Sequence, residues 1–167
     1  MKYNLIFYIS KKTSYCERAV RKALAQIDGE VHQIIGVTTP VALGEEVTHS
    51  LKICPLTVIV GGFNSMDDDN LATVLSRVFS KSPLSLENMR KLTSQNGTDG
   101  YIIRYKTQIL LALPDSPEDI ESMFSEELLS YISDKLSPKT EQRTAAAPMT
   151  GRRFLIADTC KNNNSPT

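Results

Sequence analysis

Residues 56–70 read Leu56-Thr57-Val58-Ile59-Val60-Gly61-Gly62-Phe63-Asn64-Ser65-Met66-Asp67-Asp68-Asp69-Asn70, and this stretch decides how the rest of the chain is understood. The apolar run Leu56–Val60 has the length and β-branched content of a buried strand. Gly61 and Gly62 stop it, and the acids Asp67, Asp68 and Asp69 open an apolar-striped helix. In an open α/β sheet, a Gly-rich turn at the carboxyl end of a strand lies where ligands bind. Glycine there lets a ligand approach the backbone, and the first amides of a helix favour anions. The plainer alternatives are a tight turn for the two glycines and helix capping for the three acids.

Working outward, strand and helix patterns alternate. Leu5–Ile9 reads as a first strand, and Thr13 or Ser14 as the cap of a helix that runs to Ile27. Cys16, Ala19, Val20, Ala23 and Leu24 recur on it at helical spacing. Val31–Val37 is a second strand, and Thr39-Pro40 opens a helix ending near Ile53. Beyond the Gly-Gly turn, Leu71, Val74, Leu75, Val78 and Phe79 give one helical face, and a short helix is expected around Leu86–Thr93. After a polar loop at 94–100, Tyr101–Tyr105 and Gln108–Leu113 form a hairpin through Lys106-Thr107. Ser116-Pro117-Glu118-Asp119 then begins a long helix, with a capping serine, proline at its first position and acids on the dipole. Such alternation implies a three-layer α/β sandwich, its sheet mostly parallel with an antiparallel edge hairpin.

The 167 residues suffice for one domain, expected over 1–137, followed by a basic, partly disordered tail over 138–167. That tail holds five basic and two acidic residues, and a strand-like island at Arg153–Ala157. Over the whole chain nineteen basic and nineteen acidic residues cancel, so no global field points to nucleic acid or an anionic membrane. No apolar run reaches the ~20 residues of a membrane span, and a cytoplasmic address follows. Cys16, Cys54 and Cys160, like His32 and His49, are too scattered to suggest a disulfide framework or a metal site.

The order of motifs resembles the molybdopterin-binding domains of the MoaB/MogA and CinA type. There a strand ends in Thr-Gly-Gly-x-Gly, with an aspartate five residues after the last glycine. Val60-Gly61-Gly62-Phe63-Asn64 followed by Asp69 matches that spacing, and Asp68-Asp69 matches the paired acids of the CinA branch. Gly97-Thr98-Asp99-Gly100, the hairpin, and Leu113-Pro114-Asp115-Ser116-Pro117-Glu118 stand where that branch has Gly-Thr-Ala-Pro-Gly, a hairpin and Leu-Pro-Gly-x-Pro-x-Glu. The departures are Val60 for threonine, Asn64 and Asp115 for glycines, and a Ser10–Cys16 segment without the family's acid.

This resemblance implies a pterin- or nucleotide-type phosphate ligand on Gly61, Gly62, Asn64, Asp68, Ser116, Pro117 and Glu118. It further implies Mg²⁺ on Asp68 and Asp69, Asp69 as the catalytic residue assisting nucleotidyl transfer, molybdopterin as the cofactor, and assembly into dimers or trimers. With the departures, the reading is a divergent member that binds weakly or has lost the chemistry. Two other readings stand beside it. One is a non-catalytic interaction module acting through its tail. The other is a thiol redox protein: Leu5–Ile9 followed by Thr13-Ser14-Tyr15-Cys16, with Cys54-Pro55 and Gly61-Gly62 later, is similar to glutaredoxins, and makes Cys16 a helix-start thiolate.

Overall fold

Two periodicities in the chain, five-to-eight-residue apolar runs and helical stripes, demand a sheet covered on both faces. The computed structural model, which describes residues 1–63, 70–80 and 88–137, has that arrangement. Its strands are β1 (Lys2–Tyr8), β2 (Glu30–Val37), β3 (Leu56–Val60), β4 (Met89–Thr93), β5 (Asp99–Tyr105) and β6 (Gln108–Leu113). Its helices are α1 (Thr13–Leu24), α2 (Pro40–Ile53), α3 (Leu71–Phe79), α4 (Pro117–Met123) and α5 (Glu126–Leu136). The six strands form one sheet in the order β2-β1-β3-β6-β5-β4. The first four of that order run parallel; β5 is antiparallel to β6, and β4 to β5.

Alternate side chains of the strands feed two separate cores. On one face Leu5, Phe7, Val58, Leu111 and Leu113 meet Cys16, Val20 and Leu24 of α1 and Ile120, Leu128 and Ile132 of α4 and α5. On the other, Ile6, Tyr8, Ile59 and Leu110 meet Leu43 and Val47 of α2 and Leu71, Val74, Leu75 and Phe79 of α3. Fully burying one such side chain is worth about 1.5–3 kcal/mol before chain entropy is counted. β3 is buried at all five positions, as a central parallel strand must be.

Several expected boundaries move. The first strand is Lys2–Tyr8, and Ile9 leaves the sheet with φ 49°, an unusual conformation for a β-branched residue. α1 starts after Lys12, which provides no side-chain cap, rather than at a Thr13 or Ser14 cap. Met89–Thr93, expected to be helical, is an edge strand paired with β5 from Met89↔Ile103 to Thr93↔Asp99. Leu86, Met89 and Leu92 fall three apart and imitate a helical stripe, but backbone pairing to a distant strand overrides so short a signal. The single long final helix is instead two. Phe124, at ψ 66°, breaks it, and the Ser125 hydroxyl caps the restart by accepting from the Leu128 N–H at 3.2 Å. The tail at 138–167 lies outside the described residues. No described helix is long and apolar enough to cross a membrane.

Candidate functional site

The parallel strands β1, β3 and β6 lie side by side and all end at one rim of the sheet. Three connections therefore meet there: Ile9–Lys12 before α1, the turn beginning Gly61-Gly62, and Pro114–Ser116 before α4. This is where a parallel sheet presents ligand-binding loops.

Gly61 and Gly62 adopt φ 101° and 82°, which disfavours any side chain. Space excludes one as well. A Cβ at Gly61 would lie 2.3 Å from the Tyr8 carbonyl oxygen, and one at Gly62 would lie 2.4 Å from Tyr8 Cδ1. Both glycines are thus required by the chain's own packing on Tyr8. The turn is pinned at each end, since the Gly61 N–H donates to the Leu113 carbonyl at 3.0 Å and the Leu71 N–H to the Gly62 carbonyl at 3.1 Å. Asn64, Asp68 and Asp69 lie outside the described residues, as does Asp67, so the catalytic and Mg²⁺ assignments fall there. α3 itself is capped by Asn70, whose side chain accepts from the Ala72 N–H at 2.8 Å.

The strongest polar feature of the rim is Asp115. Its carboxylate accepts hydrogen bonds from the Lys11 N–H at 2.7 Å, the Lys12 N–H at 3.2 Å, the Ser10 hydroxyl at 2.7 Å and the Cys16 thiol at 3.5 Å. The consecutive Lys11 and Lys12 amides just before α1 form an anion cradle, and here a side chain of the same protein fills it. The contact spans the end of β3: Ser10 belongs to the β1 connection, Asp115 to the β6 connection, and the Cβ position of Gly61 lies 3.4 Å from Ser10 Cβ. Burial raises the Asp115 pKa, but the donors on Lys11, Ser10, Lys12 and Cys16 outweigh it and hold the carboxyl below its usual range. Ile9, immediately before these donors, has a positive φ, a strain costing on the order of 1–3 kcal/mol.

Ser116, Pro117 and Glu118 serve the start of α4. The Ser116 hydroxyl oxygen accepts from the Asp119 N–H at 3.4 Å and its proton goes to Glu118 at 3.2 Å, while Pro117 occupies the first turn. Asp119, which sequence reasoning passed over as one more helix-start acid, is buried. It accepts from Asn96 Nδ2 at 2.9 Å. Burial raises its pKa, yet hydrogen bonds from Ser94, Asn96 and Thr98 outweigh it and hold the carboxyl below its usual range, so this ion ties the 94–98 loop to α4. The crowd of hydroxyl and amide residues at Ser94–Thr98 was the available signal.

Cys16 has none of the features of a reactive thiolate. It is fully buried, and desolvation followed by the adjacent Asp115 charge pushes its pKa up to about 12. The redox expectation is therefore corrected: burial and the neighbouring Asp115 carboxylate both oppose a thiolate at Cys16. Cys54 is also buried, donating to Asn4 Oδ1 at 3.3 Å. Among the described residues, no group of three or more His, Cys, Asp or Glu side chains converges. A phosphate does not fit on the Lys11 and Lys12 amides while Asp115 occupies them.

No protein-family model matches the chain. A curated competence-damage inducible protein of Clostridium botulinum is 24% identical over 183 aligned positions, covering 89% of this chain. The chain spans only 44% of that relative's length. Among solved structures, the CinA protein of unknown function from Thermoplasma acidophilum superposes with a TM-score of 0.62 at 15% identity, over 79% of this chain and 99% of that one. The molybdopterin biosynthesis enzyme MoaB of Thermus thermophilus gives 0.55 at 15% identity, over 80% and 96%. A molybdopterin biosynthesis protein of Mycobacterium abscessus gives 0.57 at 13% identity, over 87% and 98%. At these identities the shared property is the fold.

Proposed function

We propose, from a divergent chain with the MoaB/CinA-type α/β fold, that this protein is a molybdopterin-binding-like protein that holds a pterin- or nucleotide-type phosphate ligand weakly or has lost the chemistry. One observation carries the reading. The Asp115 carboxylate sits on the Lys11 and Lys12 amides, so an incoming phosphate meets a like charge and no free amides there. Gly61 and Gly62 add to it, because their lack of a side chain answers to Tyr8 and needs no ligand. With a ligand bound, Asp68 and Asp69 are the residues that would hold Mg²⁺, which would supply positive charge against the ligand's phosphates. Self-association as a dimer or trimer and a cytoplasmic location belong to the same proposal.

Calorimetric titration of ADP and of a pterin phosphate, each with Mg²⁺, tests this reading. The wild type is expected to bind either one no tighter than the millimolar range, and Asp115→Gly at least about tenfold tighter. Asp69→Ala should then abolish the gain. Tight wild-type binding that Asp115→Gly leaves unchanged would overturn the proposal.

A further inference from the structure

The two edges of the sheet are built differently. β4 has five residues, and its exposed Arg90 and Lys91 place charge along it. Shortness and basic side chains keep an edge strand from pairing with another chain. β2, at the opposite edge, has eight residues, and among the described residues no strand lies beyond it. Its second part, Gln33-Ile34-Ile35-Gly36-Val37, contains neither charge nor proline.

That part is also regular. The register against β1 shifts between Tyr3 and Asn4, where His32 is the extra residue, and from Gln33 to Val37 the pairing is unbroken. The Val37 carbonyl accepts from the Ile9 N–H at 3.2 Å, so it points toward β1. Backbone direction alternates along a strand, which turns the Ile35 groups the same way and the N–H and C=O of Ile34 and Gly36 outward. Beside them the Ile34 side chain is 40% exposed.

We infer that residues 33–37 of β2 pair antiparallel with the same residues of a second copy, about a two-fold axis at Ile35. The inference rests on the reading above only for self-association, and names the surface that performs it. In this register Ile34 of each copy faces Gly36 of the other, and their outward groups exchange N–H···O bonds reciprocally. Ile35 meets Ile35 at the non-hydrogen-bonded position between them. An uncharged segment paired with itself sets no like charges opposite each other, and Glu30 falls beyond the paired stretch. The contact is isologous and closes at two copies, because both outer edges are then β4 strands with their charges.

Sedimentation equilibrium of the full chain between about 1 and about 100 µM, joined to cysteine capture, tests it. The wild type is expected to show a monomer–dimer equilibrium. Ile34→Lys, at an exposed position, should weaken it at least about tenfold, because the two lysines lie diagonally across the axis. In a Cys160→Ser background, Ile35→Cys should form an interchain disulfide under mild oxidation, since facing non-hydrogen-bonded residues lie about 4.5 Å apart between Cα atoms. Gln33→Cys, opposite Val37, should not. A monomer throughout that range would overturn the inference and the self-association with it, leaving the ligand reading standing. A dimer that Ile34→Lys leaves intact, equal cross-linking at Gln33→Cys and Ile35→Cys, or assembly into trimers would overturn the inference alone.

Discussion

Ser10 Oγ lies 2.7 Å from Asp115 Oδ1, although 105 positions separate the two residues in sequence. The hydrogen bond joins the connections that follow β1 and β6 over the end of β3, where Gly61 makes room for it.

Asp115→Ala leaves the Lys11 and Lys12 amides without their acceptor. The variant should lose about 1–3 kcal/mol of stability, the range for removing a charged hydrogen-bond partner. Urea unfolding reads the loss, and hydrogen exchange should show lowered protection at Lys11 and Lys12. Unchanged exchange would mean the carboxylate does not hold the loop.

Acid should release the same contact. The folded pKa of Asp115 is depressed, so its contribution is fully present above the unfolded value near 3.8 and disappears as pH falls through the folded value. Asp119 acts in the same direction. The melting temperature should therefore drop between neutral pH and pH 3. The drop should be smaller in Asp115→Asn, which has already lost the titrating group at neutral pH.

Gly61→Ala combines a backbone at φ 101° with a contact 2.3 Å from the Tyr8 carbonyl, and should cost about 3 kcal/mol or more. Gly36 on edge strand β2 is the control, because nothing lies within 4 Å of its Cβ position. Gly36→Ala should stay within about 0.5 kcal/mol of wild type. Thermal unfolding of the pair measures the contrast directly.

Cys16 should resist alkylation. With its thiol pKa at about 12 and no exposed surface, iodoacetamide at pH 8 should modify it only under denaturant, as peptide mass spectrometry can follow. Rapid native labelling at Cys16 would contradict the burial described above.

The fold was legible wherever a signal was local and repeated. The run Leu56–Val60, the stripe of α3 and the Ser116-Pro117 helix start each announced themselves within a few residues. Met89–Thr93 did not, because its state is decided by a partner strand ten residues on, and β4 has only five residues with which to declare itself. The break at Phe124 was hidden for a similar reason: apolar spacing continues across it while the backbone turns. At the rim, Gly61, Gly62 and Asp115 stood out as unusual residues, but only their neighbours in space explain them. Tyr8 accounts for the glycines, and the amides of Lys11 and Lys12 account for the acid. Buried Asp119 carried no mark distinguishing it from Glu118 beside it, which is exposed.

The bridge between Ser10 and Asp115 also has a place in time. It joins the connections after β1 and β6, so forming it requires the chain to bring residues 105 apart into contact. Contacts of such sequence separation follow the loop closures that precede them, and a bond absent from the folding transition state acts on escape from the native state. Asp115 is accordingly a residue of persistence rather than of assembly: removing it should hasten unfolding while leaving the rate of folding nearly as it was.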